Sequence, residues 1–471
     1  AKVGANVFDG SKLTNVLISD SLSKLGDAMF ANCKLLTEVV LPSNLFDMGN
    51  NTFENSGIVS ITIPQWVYSI GKGVFMNCSD LSSVTVKNDK LTSIGSQAFK
   101  GCVNLEKFVI GQTVLNVGNA AFAGCVKLNL TVAEGNDNYS VTSDGLLIDS
   151  KNTLVSVYGN STEVNLSGIA AIANGAFDGN TTIRRVTIPA VMESIGDNTF
   201  KDCTALASVI FENGSKLEKI GAFAFSNSGI TDITIPKTVK TIGGNAFKGC
   251  KSLATVNFDD TGNVVIGNNA FAETGITKLS IKDNFASIGK MAFSDNTALK
   301  KVEINAKTTF DKDVFKNSTG IETIIIGDKT TLLTEGMFMG CTGLKNVTLG
   351  ANLMEIGVNT FAGCSQLQEI TIPDSVVNIK EKAFENCTSL SSVVLNETSN
   401  LAIIGKSIYN TSATFRNTAL KSFYVPAKTR IIGMNVFEGC TKLEKVEFAK
   451  RNELLSLYSG AFAYCTAISS I

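Results

Sequence analysis

Histidine is missing altogether from the 471 residues of this chain. Its imidazole is the usual general base, proton shuttle and transition-metal ligand near neutral pH, so every Ser-His or Cys-His mechanism is excluded, with every histidine-containing zinc, iron or copper site. What remains is carboxylate chemistry, a lysine nucleophile, or binding without chemistry. Concentrated charge is missing too: 41 Lys plus Arg stand against 42 Asp plus Glu, and no basic run exceeds a pair such as Arg184-Arg185. A nucleic-acid backbone needs a dense cationic face, so no nucleic-acid partner is expected. No apolar stretch approaches the roughly 20 residues that span a bilayer. Neither a signal peptide nor an anchoring segment is visible in the sequence. Linkers and shifts in composition are absent as well, and the chain reads as one elongated domain over residues 1–471.

What is present is a repeat. All eleven cysteines stand three residues after a phenylalanine, from Phe30 and Cys33 to Phe462 and Cys465, so they mark a register position and not a set of reactive thiols. The phenylalanine anchor recurs from Phe8 to Phe462 in steps of 22 to 25 residues, apart from two longer gaps. Self-similarity at this period predicts a solenoid of about 20 coils, each unable to bury its apolar face alone. The Ile-Gly and Leu-x-x-Val-x-Ile elements around each anchor alternate apolar with polar residues and read as short strands. The anchor segment between them reads as a turn or a short helical turn.

Prolines are few and obey the same register. Pro42, Pro64, Pro189, Pro236, Pro373 and Pro426 each stand eleven residues before an anchor. Lacking an amide hydrogen, proline ends a strand without breaking its ladder, so these positions mark the corner after the Val-x-Ile strand. Glycine at the Ile-Gly step, as at Gly26, Gly71, Gly95 and Gly433, is expected to supply a tight turn or a positive φ. Where the cysteine slot lacks cysteine it holds Ser, Thr or Asn, for example Ser56, Asn296, Ser318 and Thr418. A small side chain that can bond to nearby backbone satisfies the slot, and disulfide pairing between parallel neighbours is not expected.

The spacing breaks twice. Between Phe122 and Phe177 the segment around 131–168 contains Asp144-Gly145 flanked by extended residues, which reads as a hairpin turn. The second break, about 401–414, reads as a surface loop. Both ends of the sequence read as cut within a repeat.

The pattern Ile-Gly-x-x-Ala-Phe-x-x-Cys-x-x-Leu-x-x-Val-x-Ile-Pro, nearly whole in residues 242–258 and 356–373, closely resembles the BspA-type leucine-rich repeat. The resemblance covers essentially the whole chain, and the segment from Tyr139 to Ile148 resembles the hairpin-bearing unit common in that family. It implies an α/β, β-rich repeat solenoid, curved and right-handed, with a parallel sheet on one face. It also implies a cell-surface or secreted protein that adheres to host matrix proteins, cells or glycans, and it carries over no catalytic motif or cofactor.

In each Val-x-Ile strand the middle residue points away from the core, which defines an external stripe. Thr62, Thr85, Thr187, Thr234, Thr348, Thr371 and Tyr424 lie on it as candidate binding residues, and Trp66, the only tryptophan, stands on a polar corner where it could anchor a partner. Packing preference alone favours threonine on such a face. Glu134, Asp137 and Asp144 lack the ordered spacing of a calcium loop, and Asp259-Asp260 would make an acid/base pair only inside a cleft. Neither is expected to hold a metal or catalyse. The alternative to adhesion is a structural array that assembles through uncapped ends into a filament, surface layer or scaffold.

Overall fold

The computed structural model describes residues 3–87, 90–258, 262–405 and 412–470. Two compact units, Ala1–Ile230 and Thr231–Ile471, carry the same repeat. A coil begins with an outer strand of three or four residues, such as Ser60–Ile63, whose side chains alternate exposed and buried. It turns a corner at the proline position, adds an inner strand such as Ser69–Ile70, and closes through the anchor turn.

Strands of successive coils pair in parallel. In the first unit Ser60, Ile61, Thr62 and Ile63 face Ser83, Val84, Thr85 and Val86, while Ser69 and Ile70 face Ser93 and Ile94 on the inner ladder. In the second unit one outer ladder runs from Lys278–Ile281 to Asn346–Thr348, and one inner ladder from Leu332–Leu333 to Ser456–Leu457. The fold class implied by the sequence therefore holds as a β-solenoid of parallel strands.

The anchor segments are turns, and no helix occurs among the described residues. Their backbone gives the reason. At all nineteen anchors the residue two before and the residue two after the phenylalanine have positive φ, from Asn6 (58°) and Gly10 (68°) to Gly460 (69°) and Tyr464 (61°). A left-handed residue cannot continue a right-handed helix, and Asn and Gly tolerate it best, which is why they recur there. The turns bond from coil to coil: Phe53 N–H donates to the Val74 carbonyl at 2.9 Å, and Phe75 N–H to the Ala98 carbonyl at 2.8 Å.

The anchors form the core. Rings from Phe8 to Phe122 stack at centroid distances of 5.2 to 5.8 Å. In the second unit those from Phe247 to Phe462 stack at 4.9 to 5.7 Å. Where the slot holds cysteine, the thiol donates to the anchor carbonyl of the preceding coil, as from Cys78 to Phe53 at 2.9 Å and from Cys125 to Phe99 at 3.0 Å. Asn296 and Ser318 make the same bond to Phe271 and Phe293. The described cysteines are free, all buried except the half-buried Cys465.

Glycine at the Ile-Gly step works differently from the expectation. None of Gly26, Gly71, Gly95, Gly196, Gly357 or Gly433 has a positive φ, whereas Gly405, after Ile404 at the second break, does (59°). A Cβ on Gly71 would lie 2.4 Å from the Gly49 carbonyl oxygen, and one on Gly433 1.6 Å from that of Gly405. These glycines let neighbouring coils touch backbone to backbone.

The hairpin turn expected at Asp144-Gly145 is present, with Gly145 N–H bonding to the Thr142 carbonyl at 3.2 Å. Tyr139–Val141, Leu146–Asp149 and Thr153–Val157 make an antiparallel meander. Its third strand then replaces an anchor turn: Ala120 N–H bonds to the Val155 carbonyl, Phe122 N–H to the buried Ser156 hydroxyl, and Val157 N–H to the Ala176 carbonyl. At the second break residues 406–411 lie outside the described residues. The insertion closes at its base, where the Ser412 hydroxyl donates to the Gly405 carbonyl at 3.1 Å.

Candidate interaction face

The external stripe stays in register on the outer ladders. Thr62 pairs with Thr85, Val109 with Thr131, and Thr187 with Asn165 on one side and Ile210 on the other. In the second unit Thr234 pairs with Asn257, and Ser280, Glu303, Ile325 and Thr348 follow one another. Thr371 pairs with Val394, and Tyr424 with Glu447. Thr62, Thr85, Thr234, Thr348 and Thr371 are exposed, whereas Thr187 and Tyr424 are half-buried. Burial pushes the Tyr424 hydroxyl pKa upward, and Glu397 and Glu447 add to it. Asn165 belongs to the stripe but escapes the consensus, because the meander replaces the anchor turn that would precede its strand.

Prolines stand at several of the places where this face opens, although the break between Thr255–Phe258 and Lys278–Ile281 has Lys282 at its corner. At the corner position the N–H normally supplies a last rung to the preceding coil: Lys87 to the Ile63 carbonyl at 3.1 Å, Ala133 to Ile110 at 2.9 Å, Gly327 to Ile304 at 2.7 Å. Pro64, Pro373 and Pro426 cannot donate. At each of them the outer ladder ends, between Glu38–Val40 and Ser60–Ile63, between Asn346–Thr348 and Glu369–Thr371, and between Ser392–Val394 and Ser422–Val425. Pro42 and Pro189 leave their ladders paired over three residues, so the lost rung weakens a junction and neighbouring packing decides whether it parts.

Two of these junctions hold clefts. The first, about 660 Å³, is lined by Glu38, Val40, Ser60, Thr62, Gln65 and Lys87 among others. The second, about 530 Å³, is lined by Thr348 and Thr371 with Asn346, Gln366, Gln368 and Glu369. Three of the sequence-predicted residues thus line clefts, two of them together. Thr85, Thr187, Thr234 and Tyr424 stand on the open face.

Trp66 lies off the stripe, round the corner beside Gln65. The Lys90 ammonium sits 4.1 Å from the centre of its ring. Sequence reasoning missed its company. Phe46 and Tyr68 stand seven residues before their anchors, and the bridge between their neighbours Asp47 and Ser69 puts them side by side. Phe46, Trp66 and Tyr68 are exposed by 49%, 42% and 45%, which makes one aromatic patch on two adjacent coils. Their recurrence at one repeat position was the available signal. Beside the patch, Lys24 and Asp47 pair at 2.6 Å.

The carboxylates weighed in the sequence stand apart from the stripe. Glu134, Asp137 and Asp144 are exposed, and among the described residues no three His, Cys, Asp or Glu side chains are grouped to hold a metal. Asp259-Asp260 lies outside the described residues. Also among the described residues, no helix is long and apolar enough to cross a membrane.

Residues 1–129, 170–300, 218–344, 308–413 and 407–471 match the family model described as "BspA type Leucine rich repeat region (6 copies)". The chain belongs to the BspA-type leucine-rich repeat family. The part of this BspA-type chain that the family model leaves uncovered, residues 130–169, holds the meander. Among solved structures, a leucine-rich repeat protein from Bacteroides ovatus is 23% identical, with 100% of this chain and 87% of that one covered and a TM-score of 0.45. A leucine-rich cell surface protein from Faecalibacterium prausnitzii is 22% identical, covering 83% of this chain and 88% of its own at a TM-score of 0.38. The pneumococcal vaccine antigen PcpA is 18% identical over 84% and 80% of the two chains, at a TM-score of 0.39. No curated protein matches the chain.

Proposed function

We propose that this BspA-type chain is a non-catalytic adhesion module of a cell surface or secreted protein, presenting its outer sheet face to proteins or glycans of a host or neighbouring cell. The observation that carries this reading is the exposed stripe itself, held in register by hydrogen-bonded strands and opened into clefts where proline removes a rung. A rigid row of outward side chains, threonines interspersed with apolar and charged residues, at a spacing of about 4.8 Å offers many weak contacts whose sum gives avidity. Family membership supports a repeat-based binding role, and the absence of histidine narrows the scope for chemistry.

The test is binding of the purified chain to immobilised host matrix proteins and whole cells, beside the variants Thr62→Lys and Thr348→Lys/Thr371→Lys. Each substitution places charge on an exposed position, so the thermal melt stays where it is. Loss of binding by either variant supports the outer face as the contact surface. Binding that all variants keep in full, or no binding by any of them, refutes it.

A further inference from the structure

We infer that the first cleft, between Glu38–Val40 and Ser60–Ile63, is a site for a neutral glycan chain, with Trp66, Tyr68 and Phe46 as its stacking platform. The inference rests on the reading of the outer face as a binding surface and assigns it one ligand class at one place. The cleft's volume of about 660 Å³ falls in the range of small-ligand sites, ~300–1,000 Å³. Its lining is rich in groups that pair with sugar hydroxyls: the Glu38 carboxylate accepts, the Lys87 ammonium donates, and Ser43, Ser60, Thr62 and Gln65 do both. Within the cleft one carboxylate and one ammonium leave no net charge, and the Lys90 ammonium beside it is engaged over the Trp66 indole, so the cleft lining itself does not favour a sulfated or sialylated chain over a neutral one.

The apolar part has the opposite placement from a protein hot spot. In a protein interface an aromatic or aliphatic anchor enters a desolvated apolar pocket. Here the aromatic side chains stand outside the cleft, Trp66 on the corner next to Gln65 and Tyr68 and Phe46 further round their coils, while the cleft lines its polar groups alongside Val40, Leu41, Ile61 and Pro64. A pyranose matches that arrangement, because its hydroxyls can turn into the cleft while its C–H face lies on a ring. Phe46 and Tyr68 sit one coil apart at the same register position, and Lys90 over the indole holds Trp66 from one side. Neither cleft has an aromatic residue in its lining, but only the first has exposed aromatic residues on the coils that form it, which is why the first is assigned.

The experiment is an array of neutral oligosaccharides, glucans, mannans, xylans and chito-oligomers, with heparin fragments and sialylated glycans as an acidic arm. The whole chain is probed beside Trp66→Ala/Tyr68→Ala, Glu38→Gln and the remote control Lys151→Ala, exposed on a turn of the meander, with a thermal melt for each. Expected is binding to at least one neutral series, at least tenfold weaker in the first two variants and unchanged in the control. Preference for the acidic arm, neutral binding that the variants keep, or a blank neutral array overturns the inference. If the array is blank while host proteins are still bound through the outer face, the glycan assignment fails and the adhesion reading stands.

Discussion

Lys100 and Asp178 form an ion pair across 78 residues of sequence, the ammonium meeting carboxylate oxygen Oδ2. Both residues directly follow an anchor, Phe99 and Phe177, and the meander between those anchors removes one anchor turn, so the two side chains meet over the small Ala123. The pair is nearly dry, with side chains 16% and 4% exposed. The second insertion shows the same device: Arg416 bonds to Glu385 at 2.7 Å on one side and approaches Glu438 at 3.6 Å on the other. Elsewhere this row is mostly small or apolar, as at Ala31, Met76, Ala272 and Ala362. Opposite charges therefore mark the places where the solenoid must be sewn across an interruption.

Removing Lys100 leaves a buried carboxylate without its partner. Lys100→Met is expected to destabilise the chain by about 3 kcal/mol at neutral pH, whereas Lys100→Met/Asp178→Asn regains most of that loss. Burial raises the Asp178 pKa, with Lys100 pulling it down by less. Without the lysine the folded pKa lies higher still above the unfolded value. A raised folded pKa stabilises fully below the unfolded pKa, and the contribution is lost as pH rises through the folded one. The Lys100→Met defect should therefore shrink on acidification toward the ordinary carboxylate range, which thermal melts from pH 4 to 8 would show. A defect independent of pH contradicts the pairing.

The thiol ladder is testable by alkali and by labelling. Burial pushes the Cys78 thiol up to about 11 and those of Cys125, Cys341 and Cys387 up to about 12. Unfolded thiols ionise near 9 and the folded ones do not, so stability present below pH 9 is lost as pH climbs toward 12. A disulfide-exchange reagent should label half-buried Cys465 first in the folded protein, though slowly because its hydrogen bond with Cys440 and burial hold the thiol protonated, and the other ten only after unfolding. Cys125→Ala, which deletes the bond to the Phe99 carbonyl, should cost about 1–2 kcal/mol, and Cys125→Ser less.

Positive φ gives a stabilising substitution. Lys382 holds φ 56° two residues before Phe384, a conformation that costs a side-chain-bearing residue about 1–2 kcal/mol. Lys382→Gly should raise the melting temperature. An unchanged or lower melt would show that the lysine side chain contributes more than the backbone releases.

The anchor, the cysteine slot, the proline corner and the outward stripe were legible in sequence because each is one position meeting one demand, repeated until the pattern could not be chance. The reason for glycine at the Ile-Gly step was not, since Gly71 avoids Gly49 of another coil and no local spacing reveals that approach. The clefts were half legible. Pro64 was placed correctly at a corner, but the consequence lies in the rung it withholds from the preceding coil. Phe46 and Tyr68 escaped notice because attention to the consensus hides the variable positions, where a repeat protein keeps its specificity.

That link between proline and cleft can be reversed. Lys87 N–H gives the Ile63 carbonyl the rung that Pro64 cannot give to the coil before it. Lys87→Pro should open the outer ladder between Ser60–Ile63 and Ser83–Val86 and speed hydrogen exchange at 83–86. The cost is about 1 kcal/mol for the lost bond. Pro64→Thr supplies an N–H at the first cleft and should draw Glu38–Val40 and Ser60–Ile63 together. The restored rung and the greater freedom of the unfolded chain nearly cancel, each worth about 1 kcal/mol or less, so stability should hardly move. Ligand binding at that cleft should fall even so. Protection of the new amide at 64 in hydrogen exchange would show that the missing rung is what parts the two strands, and an unprotected amide would assign the cleft to side-chain packing instead.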